Sequence, residues 1–475
     1  MDLTLGEIAA ATDAQLIGGE AGTVISSFDF DTRTLERGAC FVALQGERDG
    51  HEFVGDAFAR GAGAALVDHV TESGGGVFLV VADPLVALGE LGRVARRRIP
   101  GATVIGVTGS AGKTATKDLM AAACGRQLTV HANADSYNNE FGLPLTLLGA
   151  PMTTQVLIAE MGARFAGNIT ELSAIARPEI GVVTHIGLAH AEHLGGTEGI
   201  ATVKGELLEA LPASGLAVLN ADDPATTELA GRTRARVLRV GADAVGADVR
   251  AHAIELDDEL RPRFALDTPW GSLYLALAVR GRHQVINAAM GATVALALGV
   301  GPGEVTRGLA DATTAPWRMQ LCRTADDVLV LNDAYNASPS SVRAAFAALS
   351  ELSPPGRRLA VLGTMLELGG HAEVEHARLG RLAADAGVEV LILVGPGVTA
   401  TAAAASERGI RVIEVPDAPT ATVTARELLE PGDAILVKAS RAVGLEAVAA
   451  DLESVHGEPT PSTPAHRAPG EVPAS

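Results

Sequence analysis

Short apolar runs rich in β-branched residues recur along the chain, each followed by a segment of helix length, and this rhythm predicts an α/β protein. Ala102-Thr-Val-Ile-Gly-Val107, Gln155-Val-Leu-Ile-Ala159, Ile180-Gly-Val-Val-Thr184 and Leu216-Ala-Val-Leu219 are continuous rather than alternating, as strands buried on both faces of a parallel sheet are. Near residue 315 the pattern restarts. Apolar runs at 327–331, 358–362, 390–394, 411–415 and 434–437 predict a second open, Rossmann-like sheet. Before residue 100 the runs are shorter, 40–44 and 77–81, with an alanine-rich helical stretch at 53–60, and they predict a small α/β unit. The expected domains are therefore 1–100, 101–315 and 316–455, with Ala312-Thr-Thr-Ala-Pro316 as a turn-like linker. The proline-rich residues 456–475 have no means of building a core and are expected to be a disordered tail. A length of 475 residues fits three domains of about 150 residues each.

Composition narrows the functional classes. Aromatic residues make up 3% of the chain and hydrophobic residues 47%, so the cores must be built from Ala, Val and Leu. A net charge of -20 argues against a nucleic-acid or anionic-membrane surface, which needs clustered cations; Arg96-Arg97-Arg98 reads as a solvated helix end. Small phosphorylated ligands stay open, because a few local donors hold them. Cys40, Cys124 and Cys322 lie far apart in odd number, as expected of a reduced cytoplasmic setting. The start lacks a secretory signal, and no apolar stretch approaches the roughly 20 residues that span a bilayer. A soluble monomer acting on small molecules, without nucleic-acid or membrane partners, is the expectation.

Lysine is scarce: Lys113, Lys117, Lys204 and Lys438 are the only four among 37 Lys+Arg positions. Arginine replaces lysine on a solvated surface but not as a compact charge or a neutral amine, so the surviving lysines are candidates for chemistry. Lys113 lies in Gly109-Ser-Ala-Gly-Lys-Thr114, between a strand run and a helical segment at 113–124. Backbone N–H groups of Gly109, Ser110, Ala111 and Gly112 can converge on phosphates there, with Lys113 on the outer phosphates and the Thr114 hydroxyl toward Mg2+. Val107 stands where the strict eight-residue loop has its first glycine, leaving the shorter Gly-x-x-Gly-Lys-Thr. Glu160 and His190 end the next two strand runs, and with Thr114 they form a candidate Mg2+ ligand set. Each has an ordinary alternative, a helix-cap charge for Glu160 and a loop or buried imidazole for the histidines. The ligand reading is favoured for His190, the ordinary one for His185 and His193.

In order along the chain, Gly109-Ser-Ala-Gly-Lys-Thr114, Tyr137-Asn-Asn-Glu140, Glu160-Met-Gly162, Gly187-Leu-Ala-His190 and Lys204-Gly-Glu206 resemble the motifs of the Mur ligases. Those are ATP-dependent amide-forming enzymes of peptidoglycan synthesis. Asp31-Thr-Arg33, Gly46-Glu-Arg-Asp-Gly-His51, Asn332-Asp-Ala-Tyr-Asn-Ala-Ser-Pro339 and Val361-Leu-Gly-Thr-Met-Leu-Glu-Leu-Gly369 resemble the MurF type, over residues 1 to about 455. The resemblance implies an N-terminal domain for a UDP-sugar peptide, a central ATPase, and a C-terminal domain that brings D-alanyl-D-alanine or another amine. It implies ATP and Mg2+, and catalytic roles for Lys113, Glu160, His190 and a Lys204 carbamylated by CO2. Only a neutral amine reacts in that way; the competing reading of Lys204 is a surface helix lysine. Also implied are nucleotide contacts from His283, Asn287, Arg318 and Asp333. Substrate contacts are implied for Thr32, Arg33, Asn138, Asn139, Tyr335, Asn336, Ser440 and Arg441.

The implied reaction passes through an acyl phosphate, formed when a carboxylate attacks the γ-phosphate of ATP and consumed when an amine attacks in turn. His185 stands where the MurF pattern commonly has asparagine, and Thr364, Ala439, Ser338 and Ala115 also depart from it. These changes spare Lys113, Glu160, His190 and Lys204 but bear on the choice of amine. A paralogue joining a different amino compound to a different acid, and a nucleotide-binding switch without ligase activity, are the rival readings.

Overall fold

The computed structural model describes residues 1–71, 75–133, 137–188 and 191–455. The candidate His190 and the expected tail at 456–475 lie outside the described residues.

The central sheet is built around a run that is apolar on both faces. Strand β1 (Thr103–Thr108) leads into helix α1 (Lys113–Gly125), and strands β2 (Val156–Glu160) and β3 (Ile180–Val183) pair parallel to β1 on either side. Along β1, Val104 faces one core cluster while Ile105 and Val107 face the other, so the sheet is covered on both sides. One cover is helix α2 (Gly196–Glu209), which sends Leu207 over Gly106; the other combines α1 with helix α3 (Gln284–Ala297). The sheet has nine strands rather than a purely parallel set. Val249–Leu256 pairs parallel with Arg236–Gly241, then Pro262–Thr268 and Gly271–Ala276 extend the edge antiparallel.

The first hundred residues carry a five-stranded sheet, mainly parallel, with Gln15–Ile17 antiparallel at one edge. Its core does not stop at residue 100. Helix Pro84–Arg98 packs Gly92 against Pro144 and Ile175, and Leu88 and Leu91 join the same cluster as Leu157 and Val203. Within that helix the expectation of a solvated Arg96 is wrong. Arg96 is 8% exposed, donating to Ala176 O and Ile99 O and pairing with Glu179 at 2.9 Å. A guanidinium can be buried when its N–H groups find this many acceptors.

Past residue 317 lies a six-stranded sheet. Strand β4 (Leu329–Asn332) precedes helix α4 (Pro339–Glu351), and strand β5 (Ala434–Lys438) pairs parallel with β4 at the centre. Gln320–Arg323 is antiparallel at the edge and was not among the predicted strands. Among the described residues no helix is long and apolar enough to cross a membrane.

Candidate active site

Two glycines make the phosphate loop possible. Gly109 has φ +147°, and a Cβ there would fall 2.1 Å from Thr184 Oγ1; Gly112 has φ +83°, with a Cβ 2.9 Å from Asn287 Oδ1. The loop is fastened to the chain that follows β3. Ser110 N donates to His185 O at 2.7 Å, Ser110 Oγ donates to Gly187 O at 2.7 Å, and Thr184 Oγ1 donates to Ala111 O at 2.6 Å. Lys113 opens α1 and turns its Nζ back onto Gly109 O at 2.9 Å, inside the arc of the loop. Burial pushes its ammonium below the usual lysine range, Glu160 opposes that shift, and Arg318 adds to it.

Glu160 ends β2 with 1% exposure. Its Oε1 accepts from Asn138 Nδ2 at 2.8 Å, while Oε2 is buried without a hydrogen-bond partner among the described residues. An orphaned carboxylate oxygen beside a lysine and a phosphate loop is the donor a hard divalent cation requires. The helix-cap alternative for Glu160 finds no support, since its carboxylate caps no helix. Thr114 is buried at the start of α1, and its hydroxyl accepts from Arg318 Nη2 at 3.1 Å.

Lys204 sits inside α2 with 2% exposure, which overturns the surface-lysine alternative. Burial lowers its pKa to about 7, with Lys113 lowering it further and Glu206 and Glu160 working the other way. An amine in that range is substantially neutral near pH 7. Glu206 itself is engaged elsewhere, accepting from Gly167 N and Thr170 N.

Asn133 was missed by sequence reasoning. Its Oδ1 accepts Glu160 N at 2.7 Å and its backbone carbonyl accepts from Lys117 Nζ at 2.8 Å, so Lys117 and Asn133 together position the strand end that carries Glu160. Only tertiary pairing reveals such a residue; neither belongs to the phosphate-loop pattern.

The remaining candidates fall into three groups. Asn287 on α3 accepts from Thr116 Oγ1 at 3.2 Å, and His283 precedes that helix with its imidazole pushed toward neutrality by burial. Arg318 reaches from beyond the linker to Thr114 and stacks on Tyr335 at 3.8 Å; its Nε is buried without a partner among the described residues. The linker also touches α1, with Ala315 N donating to Asp118 Oδ2 at 3.2 Å.

In the C-terminal sheet Asp333 accepts Met319 N at 3.1 Å and pairs with Lys438 at 2.5 Å, and Lys438 also donates to Asn336 O at 2.8 Å. Ser440 Oγ accepts Leu366 N at 2.9 Å; Arg441 stacks on Trp317 and pairs with Glu446 at 2.9 Å. At the N-terminal end, Arg33 is exposed and ion-paired with Asp31 beside the half-buried Thr32. Phe30 packs on Tyr137 and Phe141, which brings this loop near Asn138 and Asn139. Asn139 Oδ1 accepts Gly142 N at 3.1 Å, a local turn contact.

Three departures from the MurF pattern prove to be framework positions. Ser338 caps α4, Thr364 donates to Pro396 O, and Ala439 is buried against Gly363.

Family models described as "Mur ligase middle domain" and "Mur ligase, glutamate ligase domain" match residues 107–295 and 317–441. The UDP-N-acetylmuramoyl-tripeptide--D-alanyl-D-alanine ligase of Mycobacterium tuberculosis (strain ATCC 25618 / H37Rv) is 40% identical over 93% of this chain and 97% of its own length. The ligase of the same name from Escherichia coli (strain K12) is 34% identical over 95% and 99%. A crystal structure of MurF from Acinetobacter baumannii superposes with TM-score 0.86 at 30% identity, covering 96% of this chain and 99% of that one. MurF ligase from Thermotoga maritima in complex with ADP superposes with TM-score 0.76 at 28% identity, covering 90% and 97%.

Proposed function

The chain belongs to the MurF type of the Mur ligase family, three-domain α/β ATP-dependent ligases, and from that premise we propose that it joins D-alanyl-D-alanine to UDP-N-acetylmuramoyl-tripeptide. The observation that carries the chemistry is the grouping of half-buried Lys113 with buried Lys204 and Glu160. One amine lies on the phosphate loop, a second has its pKa lowered to about 7, and one carboxylate oxygen has no partner among the described residues. A nucleotide-binding switch also uses a loop lysine and a carboxylate for Mg2+, but it has no use for a buried amine that is partly neutral near pH 7.

The substrate carboxylate attacks the γ-phosphorus of ATP, ADP leaves, and an acyl phosphate remains. Lys113 and the amides of Gly109 to Gly112 hold the phosphoryl oxygens and offset charge as the group transfers. Glu160, Thr114 and His190 would hold Mg2+, which when bound supplies charge neutralisation between the phosphates. Lys204, neutral in part near pH 7, takes up CO2 to become an anionic carbamate, a change that arginine is unable to make. Arg318 reaches Thr114 across the linker, so its departure from that hydroxyl accompanies nucleotide entry. His283 and Asn287 flank the base, with Asp333 and Arg318 contacting the nucleotide from the C-terminal side. Thr32, Arg33, Asn138 and Asn139 face the UDP-sugar peptide; Tyr335, Asn336, Ser440 and Arg441 face the amine. Residues 1–100, 101–315 and 316–455 supply these three parts.

The test is phosphate release from ATP with UDP-N-acetylmuramoyl-tripeptide and a panel of amines, with the product identified by mass. D-alanyl-D-alanine is expected to give the fastest release and a product of the summed mass less water. Phosphate release that ignores both acid and amine would remove the ligase reading. A different preferred amine would instead favour the paralogue.

A further inference from the structure

The segment Gly46 to His51 belongs to the MurF-like motifs, yet the reaction proposed above gives its histidine no task. His51 is firmly placed. Gly50 N donates to Leu44 O at 2.9 Å, which folds the loop back onto the end of strand Cys40–Val42. Asp49 accepts His51 N at 3.0 Å and His51 Nδ1–H at 2.7 Å. Those two bonds, the amide first, hold the Asp49 carboxyl below the ordinary aspartate range, so the ring is backed by an anion. With Nδ1 as the donor, the Nε2 lone pair points away from Asp49, the arrangement in which an imidazole serves as a metal ligand. The side chain is 8% exposed, so the fold rather than solvent sets its orientation.

Strand Ala64–Val67 pairs parallel with Cys40–Val42 and delivers Asp68 and His69 to the same edge of the N-terminal sheet. Asp68 Oδ1 stands 3.2 Å from His51 Nε2 and also contacts His69 Nδ1. The two imidazoles stack with centroids 4.4 Å apart and planes 15° from parallel, which keeps His69 over His51. Among the described residues this is the one group of three histidine, cysteine or carboxylate side chains whose donor atoms all lie within 4.8 Å of one another. Two donors about 2.0–2.1 Å from one Zn2+ at the tetrahedral angle stand roughly 3.3–3.4 Å apart. His51 Nε2 and Asp68 Oδ1, at 3.2 Å, already come close to that spacing. Asp68 N also approaches His51 Nε2 at 3.2 Å, the far end of the hydrogen-bonding range, and a cation would take its place.

We propose that His51 Nε2, Asp68 Oδ1 and His69 Nδ1 bind a divalent transition cation of the zinc class, with Asp49 as the outer partner that orients His51. Two imidazoles and one carboxylate are a donor set for Zn2+ rather than for Mg2+, which takes oxygen ligands. Three protein ligands leave a fourth position for water, since His69 and Asp68 are 62% and 47% exposed. Bound there, the cation ties the loop after Cys40–Val42 to the loop after Ala64–Val67. The adjacent parallel strand Phe28–Asp29 leads from the same edge toward Thr32 and Arg33, so the cation stiffens the border of the region proposed to meet the UDP-sugar peptide. The proposal stands apart from the ligase reading, because it assigns these side chains no part in the phosphate-loop crevice.

The test is Zn2+ binding by the full chain, measured by isothermal titration calorimetry with Mg2+ in large excess so that hard-cation sites are filled. Wild type should bind one Zn2+ per chain that His69→Ala and Asp68→Asn lose, and its Tm should rise with Zn2+ because the folded state alone assembles the site. Both variants alter exposed side chains and should fold. Each should weaken binding about 100-fold, the upper end of the 10–100-fold typical of losing even an outer partner, and remove the Tm shift. Crystals grown with Zn2+ should give an anomalous peak between the three side chains. No saturable binding, or binding that both variants retain at wild-type strength, would overturn the proposal and leave the cluster held by protons alone. So would an anomalous peak elsewhere in the molecule and none here.

Discussion

The phosphate-loop crevice and the cluster at the end of β5 both bury charge, and they balance it in opposite ways. Beside β5, Lys438 finds Asp333 Oδ2 and the carbonyls of Asp333 and Asn336, while the other oxygen of Asp333 takes Met319 N. Every charged atom there has a partner within the fold. In the crevice, Glu160 Oε2 has none among the described residues and Lys204 is pushed to about 7. Leaving a buried carboxylate oxygen unpaired costs free energy that a folded chain gives up only where something else completes the site. The complete cluster holds a loop in place, and the incomplete one awaits a ligand.

The sharpest way to test that contrast is to remove the crevice cations. Lys113→Ala should lower ligation on the order of 10^3-fold, the scale seen when a preorganised charge facing a reacting group is lost. Lys204→Arg should do as much while preserving positive charge, because the guanidinium forms no carbamate. Lys204→Ala should regain part of its rate with added acetate or formate. Circular dichroism should show all three lysine variants folded. A Lys204→Arg enzyme turning over at the wild-type rate would show that the lysine acts only as a cation.

The complete cluster should respond in stability. Lys438→Met leaves the Asp333 carboxylate buried opposite an apolar side chain, at a cost of about 3–5 kcal/mol. In a protein of three domains this should be read as a lowered Tm of one calorimetric transition rather than as a global unfolding energy. Unchanged melting would mean that the loop at 333–336 is held by its backbone bonds alone.

Lys204 makes the same point with pH. Its pKa in the fold is about 7 against an ordinary 10.5, so between those values the unfolded chain binds more protons and wild-type stability rises with pH. Below pH 7 the amine is charged in both states and the full burial penalty is felt. Lys204→Met should therefore raise Tm most near pH 6, with the advantage shrinking toward pH 9. An equal shift at both pH values would place the amine in water.

Much of this arrangement was legible because buried parallel strands are apolar without interruption. β1, β2, β3 and β5 were each predicted to within a residue, and β4 to within two. The antiparallel edge at 249–276 was not legible from such runs, since its residues alternate between buried and exposed. Gln320–Arg323 is polar at both ends and gave no signal. Arg96 was read as solvated because its acceptor Glu179 lies 83 positions away. The site divides along the same line: Lys113 and Thr114 announce themselves through a loop pattern, whereas Asn133 matters through partners that only folding brings near.

The smallest expected stability effect belongs to Arg33, and for that reason it is the cleanest probe of binding. Its guanidinium is 59% exposed and pairs with Asp31 at 2.5 Å in the loop after Phe28–Asp29, where water competes for the guanidinium. Exposed pairs of this kind contribute about 0–1 kcal/mol, so Arg33→Ala should leave Tm within a degree or two. If the loop receives the diphosphate, the same change should raise KM for UDP-N-acetylmuramoyl-tripeptide roughly tenfold, the loss of one charge-assisted contact. KM for ATP and for the dipeptide should not move. A rise in all three would assign Arg33 to packing between the N-terminal loop and residues 137–141; no rise in any would leave its pairing with Asp31 as its whole role.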